Sequence, residues 1–574
     1  MSTRSPSPRV VGGLLALALT ASATSTSAAQ QSPLRPGQSP GPRFVMSALQ
    51  GVGDGPRLGF QVANAVRERI ASDYDMRALW VVPASTITEY LIKAGYPAEH
   101  WLSTPERRQL VSDFRAEEVL NGVVRKTPTG YRVQAAWSLS ARDDMVQPLP
   151  AVEAAKISDV AKLVAREFQA ARKQVESVQR CMSLARARNY TGALVEARRA
   201  IDAYPQSVLG RVCIANVYDQ QKLGPDSMLR ISGEILAIHP ENARALAFAA
   251  DAYQAKGLID DQFRTLMRLV AAEPSNRRAR LALVNVLASL KEWDTAGPLI
   301  DSTVLQFPED VEAVMIQWRV QLAQRYWRRA LETGRRLISL DTSLATHDFY
   351  VRMIGAAEGA QDLPVALDLA TEGVGRFPTD DELVVLRVQY LRRNGQLRQA
   401  LAVVNSLIAR NPRAPNAWVQ KALVEAELGL GPDTLLATLR RGLENGEVRA
   451  NVAQYARSLG QAASKDTVAA NRLTSPRTAI RYFRLADSAQ ATDTTALLLG
   501  NADVALARNL ATEPPAARRC ELAKEITDVA ADAQIVLPRA GRGFADTVAI
   551  LLRLADQLGT YGAQLTKATC QRKD

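Results

Sequence analysis

Residues 269–274 read LVAAEP, the apolar end of a helical stretch followed by a proline. This pattern indicates the fold because it recurs along the chain. The same arrangement ends at Pro205, Pro240, Pro308, Pro378 and Pro412. Successive prolines lie 34 or 35 residues apart, except for one interval of 70 in which Thr342 occupies the expected proline position. Because proline lacks a backbone N–H and ends a helix, this period indicates a chain of repeated units.

A second pattern has the same period inside the units. Twelve residues before the proline position a small residue recurs, at Ala193, Ala296, Ala330, Ala366 and Ala400. Three residues earlier lies an apolar residue, at Tyr190, Ile259, Trp293, Trp327, Leu363 and Leu397. We predict that each unit is a pair of antiparallel helices, in which the alanine lets the two backbones approach and the bulky residue closes the hairpin.

These units resemble the tetratricopeptide repeat family, whose pattern places a tryptophan, small residues and a final proline in a period of 34. Trp418 and Leu246 match its first position, and Ala250 and Tyr253 match its small and aromatic positions. The resemblance covers residues 174–446, about eight units, and implies a mainly α fold, an α-solenoid that winds helix hairpins into a right-handed superhelix. Trp318 and Thr434 occupy small positions, so we expect irregular packing in their units.

The amino terminus has the pattern of an export signal. Arg4 and Arg9 precede an apolar run over residues 10–19, and Ser27-Ala28-Ala29 fits the small-residue cleavage rule. We predict a signal peptide over residues 1–29, with cleavage near Ala29, and a linker rich in Pro, Gly, Ser and Gln over residues 30–42. The mature chain is therefore expected in the periplasm or outside the cell, with no integral membrane segment after cleavage.

The four cysteines lie in the part of the chain that would be exported, where disulfides are permitted. Four cysteines allow three pairings. We favour the two pairs that are local in sequence, Cys181 with Cys213 and Cys520 with Cys570.

Two regions flank the repeats. Residues 43–173 alternate strand and helix patterns in the order β-α-β-α-α-β-β-α, with a hairpin around KTPTG at 126–130, and predict a small α/β domain. The phrases VLNGVVRK at 119–126 and GYRVQAAW at 130–137 resemble the amino-terminal domain of TolB, which implies a non-enzymatic module that binds partner proteins. Residues 447–574 remain helical and are predicted to form degenerate repeats and a carboxy-terminal cap, because the last repeat needs a cover for its apolar face.

Composition excludes several classes of protein. With 574 residues, 47% of them hydrophobic and 23% charged, the chain is neither disordered nor a polytopic membrane protein. The net charge of +12 raises nucleic acid as a partner. The arginines are scattered rather than grouped in a run, and the predicted export argues against nucleic acid, so we interpret the charge as a solvated helical surface.

No motif of catalysis or cofactor binding is present in the sequence. The three histidines, His100, His239 and His347, lie outside any metal-ligand spacing, and neither G-x-S-x-G nor a P-loop occurs. The glycine-rich segment at 51–55 could bind an anion at a helix N-terminus, but its spacing favours a turn. We therefore expect no cofactor, no metal and no enzymatic activity.

The resemblance to tetratricopeptide repeats implies that the first helix of each unit lines a concave groove. Arg and amide side chains there could bind the carbonyls or carboxylates of an extended peptide, although ordinary solvated positions are the plainer interpretation. The positions carried over by register are Arg186, Asn285, Arg319, Gln389, Arg392 and Arg393.

We therefore expect an exported scaffold in the cell envelope whose groove binds a segment of a partner protein and whose amino-terminal domain docks a second partner. One alternative is a component of an envelope machine that exports or assembles polysaccharide or outer-membrane proteins. A second alternative is a hydrolase with its site in residues 43–175, for which His100 would be the residue to test.

Overall fold

The computed structural model describes residue 31 and residues 40–53, 55–139, 145–514 and 519–570. The predicted signal peptide, most of the linker and Asp54 lie outside these residues. The described residues form two compact parts, divided between Leu299 and Ile300. The fold is a mainly α solenoid of tetratricopeptide type, with a small α/β domain before the repeats and further helices after them.

The first part begins with the α/β domain. Its elements are β1 (Arg43–Val45), β2 (Gln50–Gly51), α1 (Pro56–Asp73), β3 (Trp80–Val81), α2 (Ala84–Lys93), α3 (Thr104–Asp113), β4 (Glu118–Thr127), β5 (Gly130–Ser138), β6 (Val146–Pro148), β7 (Val152–Ala154) and α4 (Ile157–Arg172). The sheet has the order β3-β1-β4-β5-β6, with β2 paired to β4 and β7 to β5. Strands β3, β1 and β4 are parallel, and β4 and β5 form the hairpin that the sequence predicts.

Strands β2, β6 and β7 are absent from the element order that the sequence predicts. Each has only two or three residues, and Pro148 lies within β6. No alternating pattern can be recognised in segments so short, and they become strands only because β4 and β5 offer unpaired backbone groups.

Eight helix hairpins fill the continuously described stretch from Val175 to Glu444. Their paired helices are α5 (Val175–Arg186) and α6 (Tyr190–Ala203); α7 (Val208–Gln220) and α8 (Pro225–Ile238); α9 (Ala243–Ala255) and α10 (Ile259–Ala272); α11 (Arg277–Ser289) and α12 (Trp293–Gln306); α13 (Val311–Ala323) and α14 (Trp327–Leu340); α15 (His347–Gly359) and α16 (Leu363–Arg376); α17 (Asp381–Arg393) and α18 (Leu397–Arg410); α19 (Ala417–Glu427) and α20 (Pro432–Glu444).

The helices that follow are α21 (Arg449–Ser464), α22 (Thr474–Ala489), α23 (Asp493–Ala511), α24 (Cys520–Val536) and α25 (Ala545–Cys570). Short 3₁₀ helices occur at Thr342–Leu344, Ala469–Asn471, Leu537–Ala540 and Arg542–Phe544. Apolar residues of α25 that the sequence places on one stripe, among them Val548, Leu551 and Ala555, pack against residues of α23 and α24.

Each hairpin turn contains one residue in the left-handed conformation, with φ between 57° and 78°. These residues recur every 34 to 36 positions, at Arg188, Lys222, Gly257, Lys291, Arg325, Gln361, Gly395 and Gly429. In all eight turns the next residue donates its N–H to a carbonyl five residues earlier, as Asn189 does to Leu184 at 2.8 Å. This is the Schellman arrangement, which satisfies carbonyls at the end of the first helix.

The turns between units use a side-chain cap placed two residues after the proline. Ser207, Asn242, Asn276, Asp310 and Asp380 each accept a hydrogen bond from the backbone N–H three residues further on. An Asn, Asp or Ser at this position satisfies an N–H that the first helix would otherwise leave unpaired. The proline therefore ends one helix, and the residue two positions later begins the next.

Arginines of the second helices bind the carbonyls of the preceding turn. Arg268 donates to the carbonyl of Pro240 at 2.6 Å, and Arg410 donates to that of Pro378 at 2.6 Å. Arg336 and Arg376 do the same for Pro308 and Thr342. These four arginines are thus part of the contact between neighbouring units.

The small residues allow the two helices of a hairpin to pack closely. The five recurring alanines are fully buried. In the fifth unit Trp318 takes the small position, and Gly334 on the facing helix leaves the space, since a Cβ there would lie 3.0 Å from Trp318 Nε1 and 2.3 Å from Met353 Sδ. The irregularity expected at Trp318 is therefore an exchange of residue sizes between two facing helices, in which the large side chain of Trp318 packs against Gly334.

The α/β domain shares one hydrophobic core with the first repeats. Phe44, Trp137 and Phe168 belong to the same buried cluster as Val178 and Leu209. Removing the domain would expose the apolar residues of the first two hairpins, so residues 43–173 and the first repeats form one structural body.

A buried amide network lies at the same junction. Gln147 on β6 donates to the carbonyl of Gln206 at 2.8 Å and accepts from the N–H of Val208 at 2.8 Å. Its carbonyl also accepts from Gln174, which in turn accepts from the hydroxyl of Ser207. Since buried amides are costly when unpaired, this network fixes how β6 meets α7.

The left-handed turn residues give a direct test of the hairpin geometry. Lys291→Gly is expected to raise the free energy of unfolding by about 0.5 kcal/mol, because glycine adopts positive φ without the Cβ clash that a lysine pays. Gly257→Ala is expected to lower it by about 1 kcal/mol for the same reason. Urea unfolding of the two variants beside the parent chain measures both effects.

Lys291→Ala is the matched control, because it removes the lysine side chain and keeps the Cβ. If Lys291→Ala stabilises the chain as much as Lys291→Gly, the lysine side chain rather than the backbone conformation is the cause, and the geometric account of the turns is wrong.

Candidate functional site

The first helices of the hairpins present the side chains that the sequence assigns to a groove. In the second part of the chain, we call the exposed and half-buried residues of α13, α15, α17, α19 and α21 the first-helix surface. In the first part of the chain, Arg186 and Asn285 are exposed on α5 and α11. In the second part, Arg319 is exposed on α13 and Gln389 is half-buried on α17. Their role in binding stays a prediction.

Arg392 and Arg393 have partners inside the second part. Arg392 forms an ion pair with Glu427 on α19, and Arg393 forms one with Glu358 on α15 at 2.5 Å. Tyr390 also donates to Glu358, at 3.2 Å, and burial together with this carboxylate raises the pKa of Tyr390 to about 12. These contacts tie three successive first helices together, so both guanidiniums are held in place by the chain itself.

A polar depression of about 320 Å³ lies on the first-helix surface between α19 and α21. Its lining residues are Asn416, Val419, Gln420, Asn451, Gln454, Tyr455 and Ser458. The four residues from α21 are spaced by three, one and three positions and therefore occupy one face of the helix. Four amides and two hydroxyls line the depression, and such groups include both donors and acceptors, which is the chemistry that pairs with a peptide backbone.

The depression is held by hydrogen bonds at its edge. Glu447 accepts from the backbone N–H groups of Asn416 and Trp418, at 2.8 and 3.0 Å, and so caps the start of α19 in place of a side-chain cap. Asn451 donates to the side chain of Asn416 at 2.5 Å. Within the described residues the side-chain oxygen of Gln420 is buried and has no hydrogen-bond partner.

Sequence reasoning missed this cluster. The family register ends near Gly446, whereas α21 begins at Arg449 and continues the pattern of first helices. The available signal was a polar stripe at helical spacing, Asn451, Gln454 and Ser458, on a helix otherwise rich in alanine.

Among the described residues of the α/β domain, no relay of nucleophile, base and acid is assembled around His100. His100 Nε2 lies 3.5 Å from Glu106 Oε1, and the ring stacks on Tyr96. Hydrogen bonds from the hydroxyl and the backbone N–H of Ser103 lower the pKa of Glu106 to about 2. The serine and the glutamate form a capping box at the start of α3, so these polar groups have a structural use.

Two further expectations concern metals and membranes. Within the described stretches no cluster of three or more His, Cys, Asp or Glu side chains could hold a metal ion. His347 lies 2.7 Å from Asp380 and 3.3 Å from Glu382, and it thereby links the sixth unit to the seventh.

Among the residues that the structure covers, no helix combines the length and the apolarity needed to cross a bilayer.

Both favoured disulfides are present. Cys181–Cys213 joins α5 to α7, the first helices of the first two units, and both cysteines are fully buried. Cys520–Cys570 joins the start of α24 to the end of α25. Each bond therefore fastens an end of the helical array.

The most perturbed carboxyl group lies outside these surfaces. Asp503 on α23 is fully buried, and neither of its carboxyl oxygens has a hydrogen-bond partner among the described residues. Burial raises the pKa of Asp503 to about 7. Arg484 opposes the rise and Asp532 adds to it, and these two residues form an ion pair with each other.

Several solved structures are similar to parts of this chain. YrrB, described as a TPR protein with an unusual peptide-binding site, is 18% identical, with a TM-score of 0.29, over 33% of this chain and 94% of its own. A tetratricopeptide repeat protein from Parabacteroides merdae is 13% identical, with a TM-score of 0.28, over 47% of this chain and 99% of its own. The complex of Naa15/Naa10 bound to HypK-THB is 11% identical, with a TM-score of 0.38, over 70% of this chain and 64% of the matched chain.

No protein-family model and no curated protein matches the sequence. The three solved structures are below 20% identical and have TM-scores below 0.5, so no role is transferred from them to this chain.

The buried carboxyl of Asp503 predicts a pH-dependent stability. The pKa of Asp503 is about 7 in the folded chain and near its usual 3.8 in the unfolded chain. Below pH 3.8 the carboxyl is protonated in both states, so its titration does not change the stability. Between pH 3.8 and 7 the unfolded state loses its proton first, and stability falls as pH rises. At pH 8, Asp503→Asn is expected to stabilise the chain by about 2–4 kcal/mol, with a smaller gain at pH 5.

Amide hydrogen exchange of α23 and α24 at the two pH values measures this gain. Asp528→Asn, which changes an exposed carboxyl on α24, is the control and is expected to have little effect. A gain for Asp503→Asn that is equal at pH 5 and pH 8 would contradict a folded-state pKa near 7.

Proposed function

We propose that this chain is an exported scaffold of the cell envelope that binds a segment of a partner protein on its first-helix surface, without catalysing a reaction. The observation that carries the proposal is the amide-lined depression between α19 and α21. It contains the buried side-chain oxygen of Gln420, which has no hydrogen-bond partner among the described residues, whereas Arg392 on α17 and Glu427 on α19 form an ion pair with each other.

The chemistry of the depression favours an extended peptide. Gln420 and Gln454 each carry both a donor and an acceptor, and an extended backbone presents the same two groups at every residue. The half-buried Tyr455 adds an aromatic surface for an apolar side chain of the ligand. Binding at such a site needs complementarity rather than an activated group, which agrees with a scaffold.

Export is proposed from two features. The signal pattern before Ala29 is the first. The second is the use of all four cysteines in disulfides, which persist in oxidising compartments and are rare in the cytosol. A partner would then be met in the periplasm or outside the cell.

The α/β domain is proposed to dock a second partner, as its resemblance to the amino-terminal domain of TolB implies. Because this domain shares its core with the first repeats, a second partner bound there would be held at a fixed position relative to those repeats. The same shared core means that surface substitutions, rather than removal of the domain, are the way to test its role.

The proposal predicts a loss of partner when the depression is filled. Gln454→Arg with Ser458→Arg places two long side chains on the exposed face of α21. We expect the tagged variant, purified from its native cells, to recover its main protein partner about tenfold less than the parent chain does. Quantitative mass spectrometry of the co-purified proteins measures the difference.

Thr434→Arg with Ala437→Arg is the matched control, because it adds the same two charges to exposed positions of the second helix α20. We expect this variant to keep the partner. Equal losses from both variants, or no protein enriched by the parent chain, would overturn the proposal.

A further inference from the structure

The turn of the fifth hairpin carries a cluster of basic and aromatic residues that the first-helix surface does not include. Arg325, Tyr326, Trp327, Arg328 and Arg329, which we call the fifth-turn patch, line a depression of about 540 Å³ together with Ala360. The patch spans the end of the turn and the first residues of α14.

The three arginines of the patch differ from those at the contacts between units. Arg336, Arg376 and Arg410 bind carbonyls of the preceding turns. The guanidiniums of Arg325, Arg328 and Arg329 are exposed and form no hydrogen bond or ion pair with any described residue. Glu332, one turn further along α14, forms no ion pair with them either, so the depression is lined by three arginines without an ion pair among the described residues.

Two aromatic rings lie among these charges. The Tyr326 side chain is 48% exposed, and the guanidinium of Arg329 lies 5.7 Å from its ring centre. Trp327 packs directly on the backbone of Gly359, where a Cβ would lie 2.5 Å from the ring. The indole is therefore fixed in position. Arg, Tyr and Trp are the residue types that contribute most to binding at protein interfaces.

The chemistry of the patch selects an acidic peptide. Guanidiniums bind carboxylates through paired N–H donors, and the rings offer contact area to an apolar side chain between the acids. The depression has the volume of a few side chains. The patch carries three arginines, whereas binding to an anionic membrane typically uses a larger basic cluster of about four to eight residues.

We propose that the fifth-turn patch is a second binding site, which takes an acidic segment of a partner protein that contains aromatic or aliphatic residues. This site lies on a hairpin turn and stands independently of peptide binding on the first-helix surface. A partner bound at both places would be held by two different chemistries, amide pairing at α19 and α21 and charge pairing at the turn.

A defined probe tests the patch. A fluorescein-labelled dodecapeptide made of four Phe-Glu-Glu repeats is titrated with the full chain, and fluorescence anisotropy reports binding. A second peptide replaces every Glu by Gln. We expect the acidic peptide to bind at least about tenfold more tightly than the Gln peptide.

Two triple variants locate the binding. Arg325→Gly, Arg328→Gln and Arg329→Gln together remove the three charges of the patch, and the glycine also suits the positive φ of position 325. Arg335→Gln, Arg398→Gln and Arg440→Gln remove three exposed charges elsewhere on second helices. The first variant is expected to weaken binding about tenfold and the second less than about twofold.

Three outcomes would overturn the proposal. Equal weakening by both triple variants would assign binding to the net charge of +12 rather than to the patch. Equal affinity for the acidic and Gln peptides would exclude charge recognition. Binding of phosphatidylglycerol vesicles through the same three arginines, without binding of the acidic peptide, would assign the patch to a membrane surface.

The first-helix variant Gln454→Arg with Ser458→Arg separates the two sites. We expect it to bind the acidic peptide as the parent chain does. Loss of acidic-peptide binding in this variant would contradict a separate site at the fifth turn, whereas failure of the first-helix proposal leaves the expected affinity of the patch unchanged.

Discussion

The constraint on which the structure depends is that the chain must reverse direction twice in about 34 residues. Every reversal ends one helix and starts another, and each helix end leaves backbone carbonyls or N–H groups without partners inside the helix. In this chain a residue with positive φ resolves the reversal within a unit. A proline followed by a capping side chain resolves most reversals between units, for example Pro274 with Asn276.

The same constraint gives a structural role to some of the arginines. Arginines such as Arg268 and Arg410 donate hydrogen bonds to the backbone carbonyls at the proline turns. Guanidinium groups thus satisfy carbonyls that water could otherwise satisfy. Other arginines tie first helices together, as Arg393 does with Glu358. Several arginines therefore have a structural role, and the arginines that lack such contacts among the described residues, as at the fifth turn, become the informative ones.

Periodic features could be predicted from the sequence, whereas features that depend on three-dimensional neighbours could not. The hairpins could be predicted from the recurring prolines and from buried alanines such as Ala330, because helix ends and close helix packing require these residue types locally. The pairing of Cys181 with Cys213 followed from their closeness in sequence. Strand β6 was missed because it forms only against β5. The exchange of sizes between Trp318 and Gly334 needed knowledge of which helices face each other.

The candidate sites show the same limit. The family register identified positions on the first helices but not the partners of their side chains. It could not distinguish Arg392, which forms an ion pair with Glu427, from Arg319, which forms none among the described residues. The depression at Gln420 and Gln454 lies beyond the last repeat that the proline pattern marks. A register transferred along the chain predicts exposure well, because exposure follows the helix. It does not predict charge pairing, which follows from the neighbouring unit.

We propose that a partner protein binds on the first-helix surface. Photo-crosslinking in the native cells tests it most directly, with a photoreactive amino acid placed at Gln454 on α21 and, in a second strain, at Ala437 on α20. We expect a discrete crosslinked protein from position 454, and no crosslinked protein of the same mass from position 437. The same crosslinks from both positions, or no protein crosslink from position 454, would contradict it.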